Sequence, residues 1–395
     1  MSGLSVSGRV KDDIKGMKIV ADENLSLVRE LFGSMGELVC LPGRSMRPED
    51  VREADILLVR SVTRVNATLL ASSRVRFVGS ATIGTDHLDT AWLDGQGIAW
   101  TSAPGCNAMS VVEYVIAALF ELWARGDVDW DRQVMGIVGL GNVGARLAVV
   151  LQRLGVRVLG CDPFVDLEGV EQVDIDTLLD RADVVSLHTP LTHAGPHPTF
   201  HLLDRSRLAR FAGKVLINSG RGPVVDNAAL LALIVSGCFD PGKVVLDVWE
   251  KEPDLDRALL AKIRIGTPHI AGYSQEGKWR GSLMVAEALS NFLGTAPPEA
   301  PALTGRALSE VKIVESGQGW SGLASLVKAF YPISRDDADL RRELLERDML
   351  PGAFDALRKG YWPRREFSSG RVRLVGVEDP WLKERMLALN FRLEA

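Results

Sequence analysis

The chain has 395 residues, a length that indicates two or three domains. Its 46% hydrophobic and 25% charged residues are typical of a soluble globular protein. The net charge of −5, with no apolar run near the ~20 residues that cross a bilayer, argues against nucleic-acid and membrane partners.

The N-terminal residues 1–16 lack the continuous apolar core of a signal peptide, and we expect them to be a disordered leader. Met17 then opens the first strand-like run, "MKIVAD". The four cysteines lie far apart in the sequence, without metal-ligand spacing. We therefore predict packed thiols in a reducing, cytoplasmic setting and no bound metal.

Short apolar runs alternate with helix-like segments over residues 17–290. One series runs from "KIVAD" to "GIAWTSAP", and a second runs from "VMGIVGLG" to "RIGTPHI". Continuous apolar strands separated by helices indicate parallel sheets covered on both faces, so we predict two doubly wound α/β domains. A long apolar helix, from Asn107 to Gly126, is predicted to join them.

The residues after Gly294 differ in composition from the rest of the chain. The proline- and alanine-rich segment "TAPPEAPALTG" is predicted to be a linker. A charged, helix-prone stretch follows, and then the aromatic and basic "YWPRREFSSGRVRLVGV". We predict a small α+β domain in this part of the chain.

The stretch "GLGNVG", from Gly139 to Gly144, matches G-x-G-x-x-G between an apolar strand and a helix. In this pattern Gly139 permits a tight turn, Gly141 lets the backbone approach a pyrophosphate, and Gly144 lets helix and strand pack closely. Asp162 follows at the end of the next strand, where a carboxylate accepts hydrogen bonds from a ribose and repels a 2′-phosphate. The pattern predicts a site for NAD rather than NADP; the alternative is a tight βα turn without a ligand.

Three further strand ends carry reactive side chains. Arg221 lies in "NSGRGP", and its planar charged fork suits a substrate carboxylate or a polarised carbonyl oxygen. The segment "DVWEKEP" offers Asp247, Glu250 and Glu252, each of which is suited to orient a histidine. His269, in "TPHIAG", suits proton exchange with an alcohol near neutral pH. Each residue alone fits a solvated or structural role, but the carboxyl ends of parallel strands share one crevice, which favours a common site.

These motifs, in the order "GLGNVG", "HTPL", "NSGRGPVVDNAAL", "DVWEKEP" and "TPHIAG", resemble the D-isomer-specific 2-hydroxyacid dehydrogenases. The resemblance covers about residues 17–294. It implies a flavodoxin-like substrate domain at 17–107 and 274–294, and a Rossmann NAD domain at 108–273. The predicted C-terminal domain then spans 295–395.

The resemblance also implies roles for the matching positions. Arg221 is expected to bind the substrate carboxylate and C2 oxygen. Glu252, rather than Glu250, is expected to pair with His269, which accepts the proton during alcohol oxidation. The cofactor positions implied by the family are Gly139, Gly141, Asn142, Val143, Gly144, Asp162, Thr189, Asp247 and Gly272.

Further segments, among them "LLVRSVTRVN", "SATIGTDHLD" and "GYSQEGKWRG", resemble one branch of the family that acts on a phosphorylated four-carbon acid. This resemblance extends through the C-terminal "YWPRREFSS" to nearly the whole chain. It implies that Ser61, Thr82 and Tyr273 contact the substrate. We expect the substrate phosphate near "RSVTR", and we expect Arg364 and Arg365 to form a dimer-interface or solvated pair.

The branch implies oxidation of 4-phospho-D-erythronate at C2 to 2-oxo-3-hydroxy-4-phosphobutanoate, with NAD as acceptor, in pyridoxal 5′-phosphate (vitamin B6) biosynthesis. It also implies a cytoplasmic homodimer formed through the C-terminal domain. One alternative is another D-2-hydroxyacid, such as 3-phosphoglycerate, on the same machinery. A second is an NAD(H)-sensing scaffold without useful turnover.

Overall fold

A computed structural model of the chain describes residues 16–299, 311–315, 319–347, 352–375 and 379–394. The predicted leader lies outside these residues apart from Gly16. The described chain folds into two compact units. The first unit consists of residues 16–107 and 275–299, and the second consists of residues 108–274 with the segments from 311 onward.

The helices and strands are given in chain order. The strands are β1 (Lys18–Asp22), β2 (Glu37–Leu41), β3 (Ile56–Val59), β4 (Phe77–Ser80), β5 (Ala99–Thr101), β6 (Val134–Val138), β7 (Arg157–Cys161), β8 (Glu171–Gln172), β9 (Val184–Leu187), β10 (Val215–Asn218), β11 (Val244–Leu246), β12 (Ile265–Gly266), β13 (Val311–Glu315), β14 (Arg371–Val375) and β15 (Arg392–Glu394). The helices are α1 (Val28–Phe32), α2 (Pro48–Val51), α3 (Ala67–Leu70), α4 (Thr90–Gly95), α5 (Ala108–Trp123), α6 (Gly144–Arg153), α7 (Ile175–Arg181), α8 (Arg205–Arg210), α9 (Asn227–Val235), α10 (Arg257–Lys262), α11 (Gln275–Leu293), α12 (Gly319–Phe330), α13 (Ile333–Arg341), α14 (Ala353–Lys359) and α15 (Pro380–Ala388).

The first unit is built on a parallel sheet in the order β2–β1–β3–β4–β5. Strands β3 and β4 are buried along their whole length, because both faces of the sheet are covered. On one face, Val285 and Leu289 of α11 pack with Ile19 and Ile56. The return of the chain through α11 therefore completes the core of this unit.

The second unit holds a seven-stranded parallel sheet in the order β12–β11–β10–β9–β6–β7–β8. Helix α5 is the long apolar helix that the sequence predicts between Asn107 and Gly126, and it runs from Ala108 to Trp123. Thirteen of its residues are buried. This near-complete burial explains why the segment is apolar on every side rather than along one stripe.

The C-terminal segments pack within the second unit. Strands β13, β14 and β15 form a small parallel sheet, and helices α12 and α15 contact it. Leu326 and Val327 of α12 share a hydrophobic core with Val115 of α5. Asp337 of α13 accepts a hydrogen bond from the backbone N–H of Gly266 at 2.7 Å, which pairs the outer edge of β12. Apolar contacts therefore join these segments to the core of the second unit.

The predicted α/β class, with two parallel-sheet domains, is confirmed. The predicted domain boundaries and the dimerisation role of the C-terminal domain stay predictions. Among the described helices, none is both long and apolar enough to cross a membrane.

Candidate active site

Three neighbouring strands of the seven-stranded sheet deliver the residues that the sequence singles out. Strands β10, β11 and β12 pair in parallel, so their carboxyl ends meet at one edge of the sheet. Arg221 follows β10, Glu252 follows β11 and His269 follows β12. The shared edge is the reason that residues distant in sequence lie close together.

His269 and Glu252 form a hydrogen-bonded pair, with Nδ1 of the ring 2.8 Å from Oε2 of the carboxylate. The second carboxylate oxygen of Glu252 accepts the backbone N–H of Trp249 at 2.8 Å. Burial raises the pKa of Glu252, whereas the charge and hydrogen bond of His269 lower it. The backbone N–H of Trp249 and the charge of Arg358 lower it as well, and together these interactions bring the pKa below its usual value. An ionised carboxylate thus orients the ring and leaves Nε2 for a reacting group.

The turn that carries His269 is organised by the buried carboxylate of Asp247. Its two oxygens accept the backbone N–H groups of Ile270 and Ala271 at 2.8 and 2.9 Å. One of them also accepts the Thr267 hydroxyl at 2.6 Å. His269 has a φ of 56°, a left-handed conformation that is costly for a non-glycine residue and needs such support. Contact of Asp247 with the cofactor stays a prediction.

Glu250 has a different partner from Glu252. Its carboxylate is hydrogen-bonded to Nε2 of His201, and Nδ1 of the same ring lies 3.7 Å from Asp226. The three side chains are close enough to surround a metal ion. However, the imidazole already lies between the two carboxylates and is hydrogen-bonded to Glu250, so the contacts among these three side chains account for the cluster. The acid beside His269 is therefore Glu252, the member of "DVWEKEP" that the family resemblance selects.

The loop that carries Arg221 packs directly against the backbone of the turn before Glu252. A Cβ atom at Gly222 would lie 2.0 Å from the carbonyl group of Trp249, so only glycine fits there. Asn218, the last residue of β10, donates from its side chain to the carbonyl oxygen of Arg221 at 3.0 Å. Close packing and this hydrogen bond explain the "NSGRGP" pattern.

The glycine pattern has the local geometry expected of a dinucleotide site. Gly139 has a φ of 88°, and a Cβ atom at Gly144 would lie 1.9 Å from the carbonyl oxygen of Gly139. A Cβ atom at Gly141 would meet no atom within 4 Å, so its backbone faces open space. Asn142 is exposed, and Val143 caps the N-terminus of α6. The first and third glycines thus serve the fold, whereas Gly141 leaves room for a phosphate.

Two polar residues flank the glycine pattern. Asp162 accepts the backbone N–H of Leu140 at 2.7 Å, which ties the carboxylate to the glycine loop. Thr189 follows β9, and its hydroxyl oxygen is buried without a hydrogen-bond partner among the described residues. Because buried hydroxyls are nearly always paired, this orphan oxygen fits a ligand group supplied from outside. Gly272 is half-buried in the turn after His269. These features fit NAD.

The predicted substrate contacts Ser61 and Thr82 belong to the first unit. Ser61 is exposed, and the Thr82 hydroxyl lies 2.9 Å from the hydroxyl of Ser80. Arg60 of the "RSVTR" segment is bonded to the buried carboxylate of Asp22, from Nε at 3.0 Å and from Nη2 at 3.3 Å. This arginine stabilises the first unit and is not an uncommitted cation. The substrate roles of Ser61 and Thr82 stay predictions.

Comparisons with known proteins place this geometry in a family. The model described as "D-isomer specific 2-hydroxyacid dehydrogenase, NAD binding domain" matches residues 122–271. An erythronate-4-phosphate dehydrogenase of Azotobacter vinelandii is 50% identical over 383 residues, which cover 95% of this chain and 99% of the relative. Another, of Cellvibrio japonicus, is 49% identical and covers 95% and 100%.

The chain belongs to the erythronate-4-phosphate dehydrogenase family. The predicted resemblance is confirmed, and it places the chain within the D-isomer specific 2-hydroxyacid dehydrogenases. A second model, described as a domain of unknown function, matches residues 303–383. The tail of this family member is thus itself a recurring sequence segment.

Solved structures support the fold of the family member. The D-lactate dehydrogenase of Aquifex aeolicus, complexed with NAD and lactic acid, aligns with a TM-score of 0.60 at 24% identity. The alignment covers 70% of this chain and 95% of that one. The NAD-dependent formate dehydrogenase of Staphylococcus aureus, in complex with NAD, aligns with a TM-score of 0.59 at 22% identity and with the same coverage. At such identities the likeness establishes the fold.

Sequence reasoning missed how the tail of the family member reaches the reactive turn. Arg364 is fully buried and donates to the carbonyl oxygens of Ala271 at 2.6 Å and Ser110 at 2.9 Å. It is therefore neither a solvated nor a surface residue, and the expected interface or solvated role is wrong for it. Glu366 accepts the Ser274 hydroxyl at 3.1 Å. The run "YWPRREF" carried no signal for this, because its partners lie about ninety and more than 250 residues away.

Proposed function

We propose that this chain catalyses the NAD-dependent oxidation of 4-phospho-D-erythronate at C2, giving 2-oxo-3-hydroxy-4-phosphobutanoate. The observation that carries the proposal is the His269–Glu252 pair, at 2.8 Å, beside the loop of Arg221. The names of relatives near 50% identity supply the substrate. The same names support a place in pyridoxal 5′-phosphate biosynthesis.

When bound, NAD would supply the acceptor for the hydride that leaves C2. The open backbone at Gly141 and the N-terminus of α6 would hold its pyrophosphate, with Asn142 and Val143 offering their backbone N–H groups. Asp162 would bind the adenosine ribose, since the pattern places a carboxylate at the end of β7. The buried Thr189 hydroxyl, which has no hydrogen-bond partner among the described residues, would bind the cofactor.

His269 acts as the base that removes the C2 hydroxyl proton. With Nδ1 held by Glu252, the ring presents Nε2 to the substrate and takes the proton there. The ionised carboxylate stabilises the imidazolium that forms, as in other acid–histidine pairs. Proton removal raises electron density on the oxygen and favours departure of the hydride from C2.

Arg221 fixes the substrate relative to His269. A guanidinium donates two parallel hydrogen bonds to a carboxylate, which orients C2 as well as binding the acid. Tyr273 lies four residues after His269 in the same turn and offers its hydroxyl to the substrate. Ser61 and Thr82 complete the proposed contacts. The ring of Tyr273 is held edge-on by Tyr361, with ring centres 5.9 Å apart.

The proposed function is tested by NAD reduction with a panel of acids. We expect turnover with 4-phosphoerythronate and little with 3-phosphoglycerate or glycerate. Preferred turnover of 3-phosphoglycerate would move the proposal to that substrate. Tight NADH binding without turnover of any phosphorylated hydroxyacid would favour the sensing scaffold.

The role of His269 is tested by His269→Ala, with His193→Ala as a matched control. His193 is an exposed histidine of the same unit. We expect His269→Ala to lower kcat by roughly 100- to 10,000-fold while NADH binding is retained. If His269→Ala kept the wild-type kcat, or if both variants lost the same factor in kcat, the assignment of His269 as the base would be wrong.

The oligomeric state proposed for the chain is a homodimer formed through the C-terminal residues, in the cytoplasm. Leu326, Val327 and Tyr331 of these residues share the core of the second unit, so deleting them would expose that core. The test therefore uses the full chain: light scattering is expected to give twice the chain mass of 43.0 kDa. A mass of one chain at micromolar concentration would contradict the proposal.

A further inference from the structure

Arg358 is a charged side chain that the proposed chemistry has not used. It lies on α14, and only 10% of its side chain is exposed. Its guanidinium carbon is 5.4 Å from the ring centre of Tyr273, in the turn that begins at His269. A cation from the C-terminal segments thus lies next to the reactive turn of the same unit.

The hydrogen-bonding groups of Arg358 are not satisfied by the described chain. Its closest carboxylate is Asp355, where Nη1 and Oδ1 are 3.9 Å apart, too far for a hydrogen bond. Its Nε is buried and has no hydrogen-bond partner among the described residues. Since buried charged N–H groups are nearly always paired, this edge of the guanidinium suits a partner from outside the chain.

The guanidinium of Arg358 is positively charged. Burial lowers the pKa of its guanidinium, but Tyr273, Glu252 and Asp355 raise that pKa more, and the net change is upward. The Nε and Nη2 groups form one edge of a planar fork, which matches two oxygens of a phosphate. A tyrosine hydroxyl beside the fork adds a neutral donor.

Other arginines considered for the phosphate are engaged elsewhere. Arg60 is bonded twice to Asp22, and Arg364 is 0% exposed, so no substrate reaches it. Arg64 is exposed on the first unit and remains the competing residue from "RSVTR". Arg358 differs from Arg60 in having a buried Nε without a hydrogen-bond partner among the described residues. It differs from Arg364, which also has unpartnered nitrogens, in that 10% of its side chain is exposed and a ligand can reach it.

We propose that Arg358, together with Tyr273, binds the phosphate of the substrate. The proposal rests on the proposed function: with the carboxylate on Arg221 and C2 facing His269, the phosphate follows two carbon atoms beyond C2. The C-terminal segment therefore contributes directly to the choice of a phosphorylated substrate. The sequence family that matches residues 303–383 is described as a domain of unknown function, so phosphate binding would be a new role for it.

The test compares 4-phosphoerythronate with erythronate, which lacks the phosphate. For each enzyme, the ratio of kcat/KM for the two acids measures recognition of the phosphate. We expect Arg358→Gln to lower this ratio by about 10- to 100-fold, the loss typical of a charged hydrogen-bond pair. Arg358→Lys keeps the charge but not the planar fork, so its ratio should lie between those of the wild type and Arg358→Gln. Arg342→Gln, an exposed arginine of the same C-terminal segments, should leave the ratio unchanged.

A second measurement does not require turnover. Inorganic phosphate, against chloride at equal ionic strength, should raise the Tm of the wild type and of Arg342→Gln but not of Arg358→Gln. If the wild type turns over no phosphoerythronate but shows a phosphate shift that depends on Arg358, the proposed function fails and the phosphate site stands.

Three outcomes would overturn the proposal. The first is an equal loss of kcat/KM on both acids in Arg358→Gln, which would make Arg358 a positioning residue for Glu252 and His269. The second is a fall of the ratio in Arg64→Gln and not in Arg358→Gln. The third is a phosphate-induced Tm shift that Arg358→Gln retains or that the wild type lacks.

Discussion

The Arg364 guanidinium donates to the carbonyl oxygen of Ala271 at 2.6 Å, two residues beyond His269. The same nitrogen reaches the carbonyl oxygen of Ser110 at 2.9 Å, and the guanidinium carbon lies 4.3 Å from the ring centre of Tyr331. A fully buried arginine thus joins the first turn of α5 to the turn that carries the reactive histidine. Through Arg364, the C-terminal segments support the backbone of the turn that carries His269.

Arg364→Met is expected to lower both stability and turnover. The change leaves two buried carbonyl oxygens without their donor and removes the cation from the Tyr331 ring, at a cost of roughly 2–5 kcal/mol. Urea unfolding followed by fluorescence measures this loss. Arg342→Met, at a residue 45% exposed on the side chain, serves as the control and should change stability little. Equal unfolding midpoints in the two variants would contradict the bracing role.

Glu252→Gln is expected to lower kcat by roughly 100-fold or more, with a smaller change in KM. Glutamine keeps the shape but removes the charge that stabilises a protonated His269 ring. Steady-state kinetics at saturating NAD measure the effect, and Glu250→Gln is the matched control because its carboxylate pairs with His201 instead. If the two substitutions had equal effects on kcat, the Glu252 assignment would lose its support.

We expect the effect of Glu252→Gln on the free energy of unfolding to depend on pH. Burial raises the pKa of Glu252, but His269, the N–H of Trp249 and Arg358 together lower it more, and the folded pKa lies below the usual 4.5. The carboxylate therefore stabilises the fold above pH 4.5, and this stabilisation is lost as the pH falls through the folded pKa. The stability difference between the wild type and Glu252→Gln should shrink below pH 4.5 in urea titrations. A difference that stays constant from pH 7 to pH 3 would contradict the shift.

Gly141 and Gly144 should respond oppositely to alanine. A Cβ atom at Gly144 would lie 1.9 Å from the carbonyl oxygen of Gly139, so Gly144→Ala should destabilise the fold by several kcal/mol. A Cβ atom at Gly141 meets open space, so Gly141→Ala should keep the wild-type Tm and weaken NADH binding about tenfold or more. Thermal unfolding and NADH fluorescence titration separate the two. Unchanged NADH affinity in Gly141→Ala would argue against a pyrophosphate there.

Asp162→Asn is expected to raise the use of NADP relative to NAD. A carboxylate within about 4 Å of a 2′-phosphate costs roughly 4 kcal/mol at an effective dielectric of 20, and asparagine removes that repulsion. The ratio of kcat/KM for NAD to that for NADP should therefore fall roughly tenfold or more. Asp174→Asn, which changes the exposed N-cap of α7, is the control. An unchanged ratio would mean that Asp162 does not face the ribose.

Local patterns predicted much of this protein before its structure. The role of "GLGNVG" could be predicted because the turn, the close helix–strand packing and the helix start all depend on six consecutive residues. The structure has the expected positive φ at Gly139 and the expected close contact at Gly144. Parallel sheets follow from continuous apolar runs, since strands covered on both faces need them. His269 and Arg221 could be placed at strand ends for the same reason.

Tertiary structure alone decided which side chains meet. "DVWEKEP" holds three acids, and the packing of β10, β11 and β12 puts Glu252 on His269 and leaves Glu250 for His201. The sequence analysis assigned no role to Arg358 and expected Arg364 at an interface or in solvent, because nothing nearby in sequence marks a buried partner. Their contacts lie on segments some 90 residues away, and long-range packing of that kind has no signature in periodicity or composition. The sequence by itself determined the fold class and the chemistry of each strand end, and the packing of the tail determined what surrounds them.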